Sequence, residues 1–238
     1  SLNHKTSVPM NHAHIAVASP LGLSVQAFGR VIASFAWQHM KAAITFRDQV
    51  ASLEAANFGK EFGPFFEDIR SYGSGCIMSA AASLEAHINE CYIDPNGPLR
   101  KQLTNFELQF WGRRGIEWKP PLEKYQIALE MLGQSKLDEQ AQLFKDAWAL
   151  VELRNALVHY KPTWDPDRKR TVDIIEVLSG KYELSPFPDT GADFVTMRNM
   201  SAASTRWVVF TAMRFMKEFH HRTTHYESKF ACFSRLDG

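Results

Sequence analysis

Arg154, Asn155 and His159 fall close together in the segment Glu152-Leu153-Arg154-Asn155-Ala156-Leu157-Val158-His159-Tyr160-Lys161-Pro162. These residue types suit chemistry at a phosphate. A guanidinium holds two phosphate oxygens at once and stabilises the charge that builds on them. An imidazole titrates near neutral pH and so takes or gives a proton. The Asn amide can orient either group. On an ideal helix Asn155 and His159 lie one above the other at i, i+4, and Glu152 shares their stripe. Arg154 points about 140° round the helix from His159. One ideal helix therefore does not bring the pair together. Either the Arg side chain wraps back, or the last turn is irregular, or a second copy of the chain completes the site. The structural alternative is a capping cluster. In it His159 bonds a C-terminal carbonyl, Asn155 bridges helices, and Arg154 pairs with Glu152 or Glu85.

The elements that must hold these residues read as helices. Ser19-Pro20 offers a cap and a proline at the first helical position. From Leu21 through Val25, Phe28, Ile32, Phe35, Ala42, Phe46, Val50 and Leu53 the spacings predict one long amphipathic helix. Gly59 and Gly63-Pro64 end it. A second helix runs from about 64 to 93, with small residues at Ser79 to Ser83 and a bend expected at Gly73 and Gly75. Asp94-Pro95-Asn96-Gly97-Pro98 stops it. A short helix follows Pro120-Pro121, and a long one spans about 137 to 160. Pro162 disfavours helix at Lys161, so the motif sits at a helix end. Residues 161–190 read as a long connection with a short element around 172–178, and a last helix covers about 192 to 221.

The segment around Arg154 resembles the HEPN superfamily of helical domains. Its members carry an Arg, a polar neighbour and a His after four to six intervening residues. Arg154, Asn155 and His159 match that pattern, and the run into Tyr160-Lys161-Pro162 is similar to the family's helix exit. Ser83 to Glu90 resembles the preceding long helix. Arg214 also precedes His220 and His221, but Phe215 stands where the motif wants a polar residue. The resemblance implies an all-α, single-domain antiparallel helical bundle. Its extent is 20–222, with a flexible extension at 1–19 and a tail at 223–238. It further implies a metal-independent ribonuclease without a cofactor, working as a homodimer whose two motifs face each other. A toxin–antitoxin or defence role follows, with an antitoxin or regulatory protein as partner. Inactive members exist, so a module that only binds RNA or a nucleotide is the alternative. DNA lacks the 2′-OH nucleophile, so single-stranded RNA is the expected substrate.

Around that centre, Glu85 and Asn89 stack at i, i+4 on the second helix. Glu85 can anchor Arg154, or pair with Asn89 to hold two helices in register. Lys161, Trp164, Arg168, Lys169 and Arg170 follow the motif and offer phosphate contacts and a stacking surface. Trp111, Arg113, Arg114, Trp118 and Lys119 form a second aromatic-basic cluster. His220, His221 and His225 have partial metal-ligand spacing but no carboxylate or cysteine partner in sequence, so they read as surface histidines.

Composition narrows the class. Among 238 residues 45% are hydrophobic and 22% charged, which excludes a disordered or low-complexity chain. The net charge is +1, so any nucleic-acid site is a local patch rather than a basic coat. Three cysteines without a CxxC argue against a disulfide scaffold or a cysteine zinc site. No apolar run approaches the ~18 residues of a membrane span. No signal-peptide pattern opens the chain, and the expected location is the cytoplasm. P-loop, GxGxxG, GxSxG and HExxH motifs do not occur.

Overall fold

A computed structural model describes residues 13–18, 24–29, 34–94, 97, 99–100, 115–160 and 169–223, with backbone alone for 13–18, 24–29 and 169–170. The chain divides into two compact units, Ser1–Ser34 and Phe35–Gly238.

The first unit holds an antiparallel hairpin of β1 (Ala13–Ala18) and β2 (Ser24–Gly29). Ala13 pairs with Gly29 and Ala18 with Ser24. This corrects the helix expected from Ser19-Pro20. Leu21, Val25 and Phe28 fit a helical spacing, but Ile15, Val17 and Val25 are β-branched, and Pro20 and Gly22 stand between the two runs. Gly22 and Gly29 also weaken a helix there.

Among its described residues the regular elements of the second unit are all helices. It contains α1 (Phe35–Asn57), α2 (Phe65–Ile93), α3 (Pro121–Met131), α4 (Gln142–Val158), α5 (Lys169–Leu178) and α6 (Ala202–Arg222). A 3₁₀ turn lies at Ile116–Trp118 and a π-helical turn at Phe194–Arg198. The helix α2 is central. It buries Phe66, Ile69, Cys76, Ile77, Leu84 and Ile88 against Met40 and Val50 of α1, Leu150 and Leu153 of α4, and Val208, Phe215 and Phe219 of α6. It runs unbroken through Gly73 and Gly75, where a bend was expected. Gly73 instead permits a close approach, because a Cβ there would stand 2.7 Å from the Met200 sulfur.

Polar contacts fix the directions of the helices. Glu90 near the end of α2 accepts from the Phe35 and Ala36 amides at 2.7 and 2.9 Å, capping the start of α1. So α1 runs antiparallel to α2. Arg154 of α4 meets Glu85, and Leu157 and Tyr160 lie beside Arg70 and Ser74, so α4 is also antiparallel to α2. By contrast Cys76 meets Thr205 and His87 meets His220, so α6 runs parallel to α2. One pair departs from the antiparallel packing expected: α2 and α6 run parallel, and each packs on both α1 and α4.

Two helix starts differ from the sequence reading. The fourth helix begins at Gln142, not Leu137. Leu137 is buried, and the Gln126 side chain takes the place of helical partners. Gln126 accepts from the Leu137 amide and donates to its carbonyl, both at 2.8 Å. The last helix begins at Ala202, not residue 192. Ser201 and Ser204 form a reciprocal capping box, and Glu54 of α1 accepts from the Ala202 amide at 2.8 Å. The connection after the motif contains a ten-residue helix, α5, which buries Ile174 and Leu178 and packs on α4.

Candidate functional site

The helix α4 turns Leu150 and Leu153 into the core and leaves Arg154 and Asn155 half-buried beside them. His159 is exposed and follows the last helical residue. Its backbone has left helical geometry, at φ −102° and ψ 29°, while its amide still donates to the Asn155 carbonyl at 3.0 Å. The helix thus ends at Val158, two residues short of the end expected at about 160. Among the described residues Arg154 and His159 make no hydrogen bond to each other.

Arg154 is held on two sides. Its Nη2 donates to Glu85 Oε2 across the helix pair at 2.8 Å, and its Nη1 donates to Asn155 Oδ1 at 3.0 Å. The Asn155 amide in turn donates to Glu152 Oε1 at 3.3 Å. The Arg154 side chain keeps 25% exposure and that of Glu85 38%, so the guanidinium is oriented yet reaches solvent. A half-exposed ion pair adds little stability, but it restricts where the guanidinium points.

Behind Glu85 lies Lys124 of α3, whose side chain is only 1% exposed. Its Nζ donates to Asn89 Oδ1 at 2.9 Å and stands 3.9 Å from Glu85 Oε1. Burial pushes this ammonium below lysine's ordinary value, against the opposing pull of Glu85 and then Glu117. Asn89 therefore reaches to α3 rather than to Glu85. Glu85 thus faces both α4 and α3, and Asn89 joins it in holding α3. Sequence reasoning missed Lys124, although a signal existed. Pro121, Leu122, Tyr125, Ala128 and Leu129 form the buried face of α3, and position 124 is in phase with them. A lysine on an apolar face calls for a partner.

The expected RNA rim is only partly placed. Lys161, Trp164 and Arg168 lie outside the described residues, and Lys169 and Arg170 open α5 with their backbone alone described. In the second cluster Trp118 is exposed on the 3₁₀ turn and Lys119 pairs with Glu123 at 2.8 Å, while Trp111, Arg113 and Arg114 lie outside the described residues.

The histidine reading requires a correction. His221 is exposed and His225 lies outside the described residues, but His220 is buried. Its Nε2 stands 2.7 Å from Nε2 of His87, which is itself buried on α2. His87 Nδ1 is 2.6 Å from the Tyr125 hydroxyl, and that hydroxyl donates to the Leu84 carbonyl at 3.1 Å. With the tyrosine proton on Leu84, His87 donates through Nδ1 and accepts at Nε2 from His220. That assignment gives each of these three contacts one donor and one acceptor. Burial, and next the neighbouring His220, hold His87 well below its ordinary 6.5. Neither His in isolation revealed this, because the partners are 133 residues apart.

Among the described residues no group of three or more His, Cys, Asp or Glu side chains is arranged to hold a metal ion. No described helix is long and apolar enough to cross a membrane. Comparison of the chain with protein-family models, with curated proteins and with solved structures returned no match.

Proposed function

We propose that the chain is a HEPN-like, metal-independent endoribonuclease acting on single-stranded RNA. The observation that carries this reading is the guanidinium of Arg154. It is held by Glu85 from the facing helix yet open to solvent, one turn before an exposed His159. Both groups remain accessible to a ligand. In the proposed reaction the substrate 2′-oxygen attacks the adjacent phosphorus. The O2′–P bond forms and the P–O5′ bond breaks, leaving a cyclic phosphate and a 5′-OH. Arg154 stabilises the charge on the phosphate oxygens. His159 takes the 2′-OH proton or supplies one to the leaving oxygen. Asn155, bonded to Arg154, keeps the guanidinium in place.

Arg154 and His159 do not meet within one chain, which favours a homodimer that presents one group from each copy. A dimer mass in light scattering is its check. A toxin or defence role, with a dedicated inhibitory protein, belongs to the same reading. A second reading also has an observation behind it. Glu85 and Asn155 already engage Arg154, as they would in a module that binds RNA without cutting it.

The test is cleavage of a varied single-stranded RNA pool in EDTA. The expected result is cutting by the wild-type chain and loss in both His159→Ala and Arg154→Ala, each folded. An exposed His159 predicts a melting temperature for His159→Ala close to that of the wild type. Binding without cleavage by the wild type would turn the assignment to the non-catalytic module.

A further inference from the structure

Beside the end of α4 lies a cleft of about 330 Å³, the lower end of the range for small-molecule sites. Three elements form it. The first turns of α2 supply Glu67, Arg70, Ser71 and Ser74; Tyr160 follows the motif; and the π-helical turn adds Thr196. Tyr160 follows His159 in the chain, and neither Arg154 nor His159 lines the cleft.

Its chemistry selects an occupant. Arg70 Nη1 donates to both oxygens of Glu67, at 3.0 and 3.1 Å, and Nε donates to the Thr196 carbonyl at 3.2 Å. Among the described residues its Nη2 makes no hydrogen bond. The guanidinium is thus fixed in plane with one edge unused. Its charge is partly offset by the exposed Glu67, and its Nε is committed to a backbone carbonyl, so it presents a polar edge rather than a free cation. The cleft offers donors and acceptors in a small space, with the Tyr160 ring 52% exposed at its edge. A flat, neutral, polar-edged ring meets all of these features, because every base has a face to stack and an edge to hydrogen-bond.

We infer that this cleft holds one unpaired base of the RNA, stacked on Tyr160 and hydrogen-bonded at its edge by Arg70, Ser71 and Ser74. The inference rests on the reading of the Arg154–His159 motif as an RNA site. A base in a duplex has its edge occupied and its faces covered, so the cleft makes the site selective for single strands.

The experiment is fluorescence anisotropy of a short, mixed-sequence single-stranded RNA with the full chain in EDTA. Cleavage is followed in parallel. Tyr160→Ala is expected to weaken binding about tenfold, and Tyr160→Phe to leave it unchanged. Ser74→Trp fills the cleft and is expected to weaken binding to the same degree, with folding checked by circular dichroism. Should that variant not fold, exposed Tyr160 still carries the test. Binding by Tyr160→Ala at the wild-type Kd overturns the inference, as does equal affinity for the duplex form of the same RNA. If cleavage survives in that case, the ribonuclease reading stands without the cleft. If binding depends on Tyr160 and no cleavage occurs, the cleft stands and the catalytic reading fails.

Discussion

At Glu85 a single carboxylate serves two cations of unequal exposure. Its Oε2 holds Arg154, which is open to solvent, and its Oε1 faces Lys124, which is not. Removing its charge therefore acts on both. In Glu85→Gln the amide can still accept from Arg154, so the geometry survives in part, but Lys124 loses its nearest carboxylate. The expected outcome is a loss of cleavage of tenfold or more, with a stability cost of about 1–2 kcal/mol. Parallel urea melts and single-turnover cleavage check it. A large stability loss with cleavage per folded molecule unchanged would leave Glu85 as a strut between helices. Lys124→Gln separates the effects further. It removes the buried cation and leaves Glu85 free to hold Arg154, so its cost should appear in the melt rather than in the cleavage rate.

At the level of elements, the ends of helices decide where the site stands. The helix α4 stops at Val158, ahead of Pro162, so that His159 leaves the last turn rather than continuing along the helix. The start of α6 is set with equal care. Ser201 accepts from the Ser204 amide at 3.0 Å and donates to the Glu183 carbonyl at 2.8 Å, while buried to 1%. Ser201→Ala loses the cap and leaves the Glu183 carbonyl without that donor. A destabilisation of about 1–2 kcal/mol follows, read as a lower denaturant midpoint at unchanged slope. A midpoint equal to wild type would mean that Glu54, which caps Ala202, holds the helix start alone. The hairpin shows the limit of local reading. Leu21, Val25 and Phe28 satisfy a helical spacing, and β2 still forms, because a short apolar run fits either period until a partner strand is present.

For the whole molecule, the His87–His220 contact ties α2 to α6 through the centre, with Tyr125 of α3 and the half-buried Cys91 beside it. This makes stability depend on pH. Folding holds His87 neutral, its value depressed below 6.5 chiefly by burial. The unfolded chain takes up a proton near that ordinary value, and the folded chain refuses it. The contribution is therefore fully present above about pH 6.5 and is lost as pH falls from there toward the depressed folded value. Urea midpoints should drop between about pH 7.5 and about pH 5.5, a range above the titration of ordinary carboxylates. His220→Gln, which retains a donor toward His87, should still show the fall, since burial of His87 is its main cause. A flat profile in the wild type would mean that the cluster admits a proton or water.

Helical class, an end of α4 ahead of Pro162 and the Arg154–Asn155 neighbour pair were legible in the chain, because each depends on neighbours within a turn or two. Periodicity reports which face is apolar, and proline reports where a helix cannot continue. Contacts between distant segments carry no such local mark. Arg154 reaches Glu85 from 69 residues away, His87 meets His220, and Tyr160 is brought to Arg70 and the π turn only by the packing of α4 on α2. The parallel pairing of α2 and α6 has the same origin. An amphipathic stripe is equally buried in either direction, so polarity is chosen by where the capping groups and buried polar partners coincide.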